Sequence, residues 1–351
     1  MNPTDTIRAN IRAMTGYVPG EQPQDGGFIK LNTNENPYPS SPRVLDALHA
    51  AVDGDRLRKY PDPTGRVFRQ TAGRVLGVDP DAILIGNGSD DLLTILTRAF
   101  VPEGGLVASP TPSYVLYSSL AEIQGAQFRP VSYNADWSLP DPWPVSAAHL
   151  TFVANPNSPS GTTVPAAALA RLAGQTRGGL VVDEAYVDFA DANCLELARL
   201  PKVVVTRTLS KSYALAGVRF GFAVADPALV RELLKVKDSY NCDALSLAAA
   251  TAALEDQDWL RATRANIVAG RGRLERELEW LGFDVTPSQS NFVWCRRGDR
   301  PVRPLYEELK RRRILVRYMS YAGYGDGLRI SVGTDAELDR LIQELVQILQ
   351  G

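Results

Sequence analysis

The chain has 351 residues, with 38 lysines and arginines against 40 aspartates and glutamates, a formal charge of −2. Apolar residues at 44% and charged residues at 22% describe a folded chain long enough for one extended domain and a smaller one, without the basic face that nucleic acid or anionic lipid requires. The cysteines, Cys194, Cys242 and Cys295, are too scattered for a disulfide framework or a paired-cysteine zinc site, and His49 and His149 are too few for a histidine-rich metal centre. No metal site is expected. The opening MNPTDTIRAN lacks the basic-then-apolar layout of a secretion signal, and no apolar run approaches the roughly 18 residues of a membrane span. These features predict a soluble, cytoplasmic protein.

Residues 1–40, rich in Gly, Pro, Asn and Gln, read as an arm packing with the smaller domain. From 41 to 242 short β-rich runs (AILIG at 82–86, LVAS at 106–109, LTFVAN at 150–155, LVVDEAY at 180–186, VVVTRT at 203–208, RFGFAVA at 219–225) alternate with amphipathic stretches such as DLLTILTRAF, SYVLYSSLAEIQG and AAALARLAG. That alternation predicts a large α/β domain built on a mostly parallel sheet. His49 sits in the helical run VLDALHAAV and His149 opens an apolar strand, so both are expected to have packing roles. From 243 to 351 the pattern changes. Helical periodicity runs to Gly282, strands follow at 283–286 and 291–295, a helix after Val302, strands at 314–317 and 328–333, and a last helix opened by the capping pair Thr334 and Glu337. This is a small α+β domain.

Three places in the large domain carry chemistry. The run ILIGNGSDDLL takes a strand through a glycine turn into a helix, so the amides of Gly88, Ser89 and Asp90 can face an anion such as a phosphate; an ordinary capped turn has the same pattern. The third glycine of a dinucleotide fingerprint is missing, and no Lys-Ser/Thr pair of a nucleotide-binding loop follows. LVVDEAY delivers Asp183 and Tyr186 to the carboxyl end of a strand, where open parallel sheets bind ligands. A carboxylate there needs a cationic partner or hydrogen-bond donors unless it caps a helix, while neighbouring Glu184 reads as structural or solvated. TLSKSYALAGVRFG sets Lys211, one of seven lysines against 31 arginines, among small residues. Burial there would favour reactive amine chemistry. Thr208, Ser210 and Arg219 add two hydroxyls and a guanidinium that suit a phosphate.

A lysine amine, a strand-end carboxylate and a phosphate cradle together describe a site for pyridoxal 5'-phosphate. Lys211 then forms the Schiff base and shuttles the proton, Asp183 keeps the pyridine nitrogen protonated, and Tyr186 donates to the phenolic oxygen. Tyr114, after another strand end, is placed either to stack on the ring or to pack at the surface.

These residues resemble the fold type I aminotransferases and, within them, the class II histidinol-phosphate aminotransferase family. The resemblance covers nearly the whole chain through GYVPGEQP, LNTNENPY, KYPDP, GNGSDDLL, NPNSPSG, DEAY, TLSKSYALAGVRFG and LRISVGT, in that order. It implies transfer of the amino group between L-histidinol phosphate and 2-oxoglutarate, in histidine biosynthesis. It also implies a homodimer with shared active sites, in which Tyr60 reaches the cofactor phosphate of the other subunit. Arg329 and Arg317 are implied as the grips for the donor's carboxylate and the substrate's phosphate, Tyr17 as a lid residue, and Asn34 as its neighbour in the arm. A sheet-edge salt bridge for Arg329 and an exposed charge for Arg317 are the structural alternatives. One departure stands out. Where relatives read N-P-N-N-P-T-G, Ser158 replaces the asparagine that contacts the cofactor's phenolic oxygen, so either Asn157 takes over that contact or Ser158 makes a shorter one.

Two other activities fit the same scaffold: an aromatic amino acid aminotransferase, which would use Arg329 for both substrates, and a threonine-phosphate decarboxylase. Arg317 separates the first from a phosphate-ester substrate. A transcriptional regulator with an aminotransferase-like domain would need a DNA-binding unit ahead of residue 40, and that stretch holds no basic helix pair.

Overall fold

The computed structural model describes residues 2–16, 20–23 and 26–350. Its helices are α1 (Ala9–Ala13), α2 (Pro42–Ala51), α3 (Gly54–Leu57), α4 (Arg66–Leu76), α5 (Ser89–Phe100), α6 (Leu116–Gln124), α7 (Ala166–Gln175), α8 (Pro227–Leu233), α9 (Ala244–Glu255), α10 (Gln257–Trp280), α11 (Arg303–Arg311) and α12 (Asp335–Gln350). Its strands are β1 (Ile29–Lys30), β2 (Ile83–Gly86), β3 (Leu106–Thr111), β4 (Gln127–Ser132), β5 (Leu150–Ala154), β6 (Gly179–Asp183), β7 (Val203–Thr208), β8 (Gly221–Val224), β9 (Asp284–Thr286), β10 (Phe292–Arg296), β11 (Ile314–Leu315), β12 (Arg317–Tyr321) and β13 (Gly325–Ser331).

Continuous apolar runs such as VVVTRT and LTFVA form strands buried on both faces, as a helix-covered parallel sheet requires. Seven strands pair in the order β2-β8-β7-β6-β5-β3-β4. β8 runs antiparallel to both neighbours and the other pairs are parallel. Edge strand β4, largely polar and carrying Pro130, has too weak an apolar signal to be read from sequence. One face is covered by a core that includes Val44, Phe68, Leu169 and Leu254, the other by one that includes Leu92, Leu96 and Tyr117. The carboxyl ends of β2, β3, β5, β6 and β7 therefore share one edge of the sheet.

The second unit is an antiparallel sheet, β12-β13-β10-β9, covered by α10, α11 and α12 around Leu274, Leu309 and Leu341. The helical periodicity from 243 to 282 divides at Asp256, whose carboxylate accepts from Trp259 N at 3.3 Å and so starts α10 where α9 ends. The alanines of α9, including Ala249 and Ala253, belong to the core beneath the large sheet, against α2 and α4. Packing of the second unit starts at α10 rather than at 243. Thr334 and Glu337 form the expected capping box.

The N-terminal arm engages both units. Arg8 and Asn10 donate to the carbonyls of Ile123 and Glu122 at the end of α6, whereas β1 pairs in parallel with β11. Pairing with β1 takes 314–315 out of the strand expected at 314–317, and the chain crosses to the antiparallel sheet at Arg317. His149 accepts from Leu106 N at 3.0 Å through Nδ1, a packing role. Among the described residues no helix is long and apolar enough to cross a membrane, and no cluster of His, Cys, Asp or Glu could hold a metal ion.

Candidate active site

A cavity of about 360 Å³ opens where the common strand edge of the large sheet meets the arm and the second unit. Ser89, Asp90, Tyr114, Asp183, Tyr186, Thr208, Ser210, Lys211 and Arg219 line it from the large unit, and Asn34, Arg317 and Arg329 from the other side.

One end of the cavity is built for an anion. Gly88 ends the turn after β2 with φ 82° and ψ 167°, and no side chain caps α5, so the first amides of a twelve-residue helix remain available there. A Cβ at Gly88 would come within 2.6 Å of Nη2 of Arg219, so only glycine lets the guanidinium close over the turn. Arg219, itself left-handed at φ 57°, reaches Ser210 Oγ at 3.4 Å and Asp90 at 3.7 Å. Thr208 Oγ1 lies 3.0 Å from Ser210 Oγ. Two hydroxyls, a guanidinium and a helix start thus converge on one spot.

The floor holds Asp183, at the end of β6 and 4% exposed. Tyr117 donates to its Oδ2 at 2.7 Å and Thr206 to its Oδ1 at 3.2 Å. Burial pushes the carboxyl up to about 6, against the pull of the Tyr117 hydrogen bond. Glu184, its neighbour, is also buried but is paired with Arg207 at 2.8 Å, which accounts for its structural role.

Lys211 leaves the loop after β7 and sends Nζ to within 3.1 Å of Thr33 O, 5.8 Å from the centroid of the Tyr186 ring. The loop is clamped from the arm by Asn36, which donates to the carbonyls of Lys211 and Ser212, both at 3.0 Å. Asn34 lies beside the lysine. Its amide donates to Tyr186 Oη at 3.0 Å, while Ser331 Oγ donates to its Oδ1 at 3.0 Å and accepts from its backbone N. Tyr114 meets Asp90 Oδ1 at 3.2 Å through its hydroxyl.

Arg317 and Arg329 face each other as a directly paired couple across β12 and β13. Arg329 donates to Ser158 Oγ and to Asn32 O, both at 2.9 Å, and its guanidinium lies 5.3 Å from the Phe292 ring centroid.

Of the residues singled out in the sequence, Asn157, Tyr60 and Gly88, the last of which ends the turn just before Ser89, are not among those lining the cavity. Asn157 is turned away: its amide donates to Pro112 O at 3.1 Å and Ser160 Oγ at 3.0 Å, and Ser158 is the residue that faces the cavity. Tyr60 stands 80% exposed on the outside, stacked on Tyr240 at 4.4 Å. Tyr17 lies outside the described residues. Conversely, Tyr117 and Thr206 escaped notice, because their contacts with Asp183 join elements remote in sequence. The signal for Tyr117 is a second tyrosine three residues after Tyr114, one helical turn further into the fold.

A family model described as "Aminotransferase class I and II" matches residues 27–345. The chain is 50% identical to the histidinol-phosphate aminotransferase of Rhodopirellula baltica over 98% of its own length and 96% of the relative's. It is 48% identical to that of Syntrophotalea carbinolica over 99% and 100%. Among solved structures, the histidinol-phosphate aminotransferase from Sinorhizobium meliloti in complex with pyridoxal-5'-phosphate superposes with a TM-score of 0.86 at 30% identity, covering 92% of this chain and 91% of that one. The α/β fold, the strand-edge cavity and these likenesses agree: this chain belongs to the class I and II aminotransferases and, within them, to the histidinol-phosphate aminotransferase family.

Proposed function

We propose that the chain is a pyridoxal-phosphate-dependent aminotransferase that interconverts L-histidinol phosphate and 2-oxoglutarate with imidazole-acetol phosphate and L-glutamate, a step of histidine biosynthesis. The observation carrying this reading is the division of the cavity into an anion cradle, a buried carboxylate and a lysine amine at one side and a pair of arginines at the other.

The residues present fit the cofactor. A phosphate fits where the first amides of α5 meet Thr208, Ser210 and Arg219, a cradle that a side chain at position 88 would fill. Asp183, raised by burial and without an ion pair among the described residues, suits a protonated pyridine nitrogen, whose charge would offset the cost of ionising it. Tyr186, held by Asn34, would donate to the ring's phenolic oxygen, and Tyr114 would cover the ring face. Ser158, which lines the cavity at the position the resemblance gives to an asparagine, would face that oxygen.

When bound, pyridoxal phosphate supplies a carbonyl that links to amines and a ring that takes up the electrons left at the substrate's α carbon. Lys211 would anchor the cofactor through its amine, and that amine would also carry the proton to and from the substrate's α carbon. Asp183 holds the proton at the ring nitrogen, while Tyr117 and Thr206 keep its carboxylate oriented. Arg329 and Arg317 bind the anionic end of the substrate. Histidinol phosphate has no α-carboxylate and presents a phosphate ester instead, and planar guanidinium groups can take either anion bidentately.

The reading includes a homodimer with Tyr60 extended toward the partner's cofactor phosphate, supported by the exposure of Tyr60, Leu57, Val67 and Tyr240 on one chain. It also includes a cytoplasmic location, supported by three free thiols. The test is a half-reaction: the cofactor-loaded protein is mixed with L-histidinol phosphate without keto acid and its visible absorbance is followed. Full bleaching supports the assignment. Persistence of the band with histidinol phosphate but loss with phenylalanine or tyrosine moves it to the aromatic alternative.

A further inference from the structure

Arg317 and Arg329 are carried by the β12–β13 hairpin, whose far end is not free. The turn at 322–324 joins Tyr321 to its cross-strand partner Gly325, and Tyr324 N donates back to Tyr321 O at 3.1 Å. Ala322, Gly323 and Gly325 are exposed, yet Tyr324 between them is half-buried. Its ring packs against the core of the large unit, 4.9 Å from the Trp137 ring centroid, and its hydroxyl donates to the carbonyl of Tyr133 at 2.8 Å. A residue of the second unit is thus seated in the first.

The seat is built rather than incidental. Trp137 has φ 64°, a left-handed backbone that bulky residues rarely adopt. The loop around it fixes that conformation: Asn134 N donates to Ser138 O at 2.9 Å, Trp137 N to Asn134 O at 2.9 Å, and the Asn134 amide to Ser138 Oγ at 2.8 Å. This loop follows β4, and Tyr133 N donates to Thr111 O at 3.3 Å, tying it to the end of β3 from which Ser113 and Tyr114 line the cavity. From the other side, Arg296 Nη1 donates to Tyr324 O at 2.9 Å and fixes the turn to β10. The same hairpin therefore touches the large unit at two places: through Arg329 at Ser158 and through Tyr324 at Tyr133 and Trp137.

We propose that Tyr324 is a positioning residue, which seats the β12–β13 turn on Tyr133 and Trp137 and thereby sets the distance of Arg317 and Arg329 from the lysine side of the cavity. With the turn seated, the strand pair is held at both ends and the two guanidinium groups are preorganised for an anion. The proposal deepens the aminotransferase reading and rests on it for the role of the two arginines.

The test compares cofactor-loaded wild type with Tyr324→Phe, which keeps the ring on Trp137 but loses the hydrogen bond, and with Tyr324→Ala, which loses both. In the conservative variant KM for glutamate and for 2-oxoglutarate rises about five-fold, the size expected for one lost hydrogen bond. In the alanine variant it rises at least about twenty-fold, with kcat within about two-fold of wild type in both. The visible absorbance of the bound cofactor stays unchanged, and amide hydrogen exchange across 317–331 accelerates. A fall in kcat together with loss of cofactor would mark general destabilisation and overturn the positioning role, as would faster exchange without any rise in KM. Exchange that stays at the wild-type rate in both variants overturns the seating itself and needs no substrate to be read. An enzyme that ignores histidinol phosphate but accepts glutamate overturns only the substrate assignment, and the KM comparison with glutamate still decides the role of Tyr324.

Discussion

Tyr117 donates a 2.7 Å hydrogen bond to Asp183 although 66 residues separate them, and its ring lies flat against Phe152, centroids 4.7 Å apart. The pairing holds a carboxylate at the sheet edge that burial alone would tend to keep protonated. Replacing Tyr117 by Phe removes the donor and raises Asp183 further. The lower pH limit of tight cofactor binding should move up by about one pH unit, as measured by titrating absorbance with pyridoxal phosphate across pH 5 to 8. An unchanged limb would mean that Tyr117 serves packing alone.

Asp183 also gives the cofactor-free protein a pH-dependent penalty. Burial raises its carboxyl to about 6 from the ordinary 3.8, so between these values the folded chain binds more protons than the unfolded one. Stability from this group accordingly falls as pH rises through that window and is lowest above pH 6. Asp183→Asn should stabilise the cofactor-free chain at pH 8 by up to roughly 3 kcal/mol, with the gain vanishing toward pH 4. Urea denaturation at several pH values reads this directly, and the same variant should bind cofactor more weakly.

Lys211→Ala should lower turnover by at least about a thousand-fold, since it removes both the covalent anchor and the proton carrier. Cofactor should still bind through the cradle around Gly88 and Arg219 and be released on dialysis. A variant that keeps cycling amino groups would remove Lys211 from its assigned role.

Arg329 is fixed by two hydrogen bonds at 2.9 Å, to Ser158 and Asn32. Arg329→Ala should raise KM for glutamate and for histidinol phosphate together, each by about ten- to a hundred-fold. Arg317→Ala should weigh more heavily on the phosphorylated amine. Equal effects of Arg317→Ala on both substrates would contradict separate duties for the two arginines.

Tyr60 supplies a test of shared sites. A Tyr60→Ala chain and a Lys211→Ala chain, each impaired alone, should regain about one quarter of wild-type activity when unfolded together, refolded and loaded, because half of the dimers are hybrids with one intact site. No recovery would confine each site to one chain.

Much of the large unit was legible because buried parallel strands are written as unbroken apolar runs. Lys211, Asp183 and Arg219 stood out because charged groups on small-residue loops at strand ends are costly without a purpose. What stayed hidden has the opposite character. Tyr117 looks like any core tyrosine until the fold brings it to Asp183, and the polar β4 resembles a loop. The inward turn of Asn157 depends on Pro112 and Ser160, contacts that spacing within NPNSPSG does not encode. The break at Asp256 is a capping aspartate inside an otherwise even helical pattern, and the apolar face of α9 continues across it in sequence but not in space.

The arm segment around Asn34 draws partners from the far end of the chain. Leu31 O accepts from Ser331 N, Asn34 O accepts from Asn291 at 3.0 Å, and the Asn34–Ser331 contact spans 297 residues. During synthesis Asn34 leaves the ribosome 297 residues ahead of Ser331 and has to wait until the chain between them has been made. The large sheet can fold before then, but the loop carrying Lys211 gains its second wall only once the second unit is in place. A nascent chain stopped short of Ser331 would therefore own every residue of the phosphate cradle and still lack a closed site.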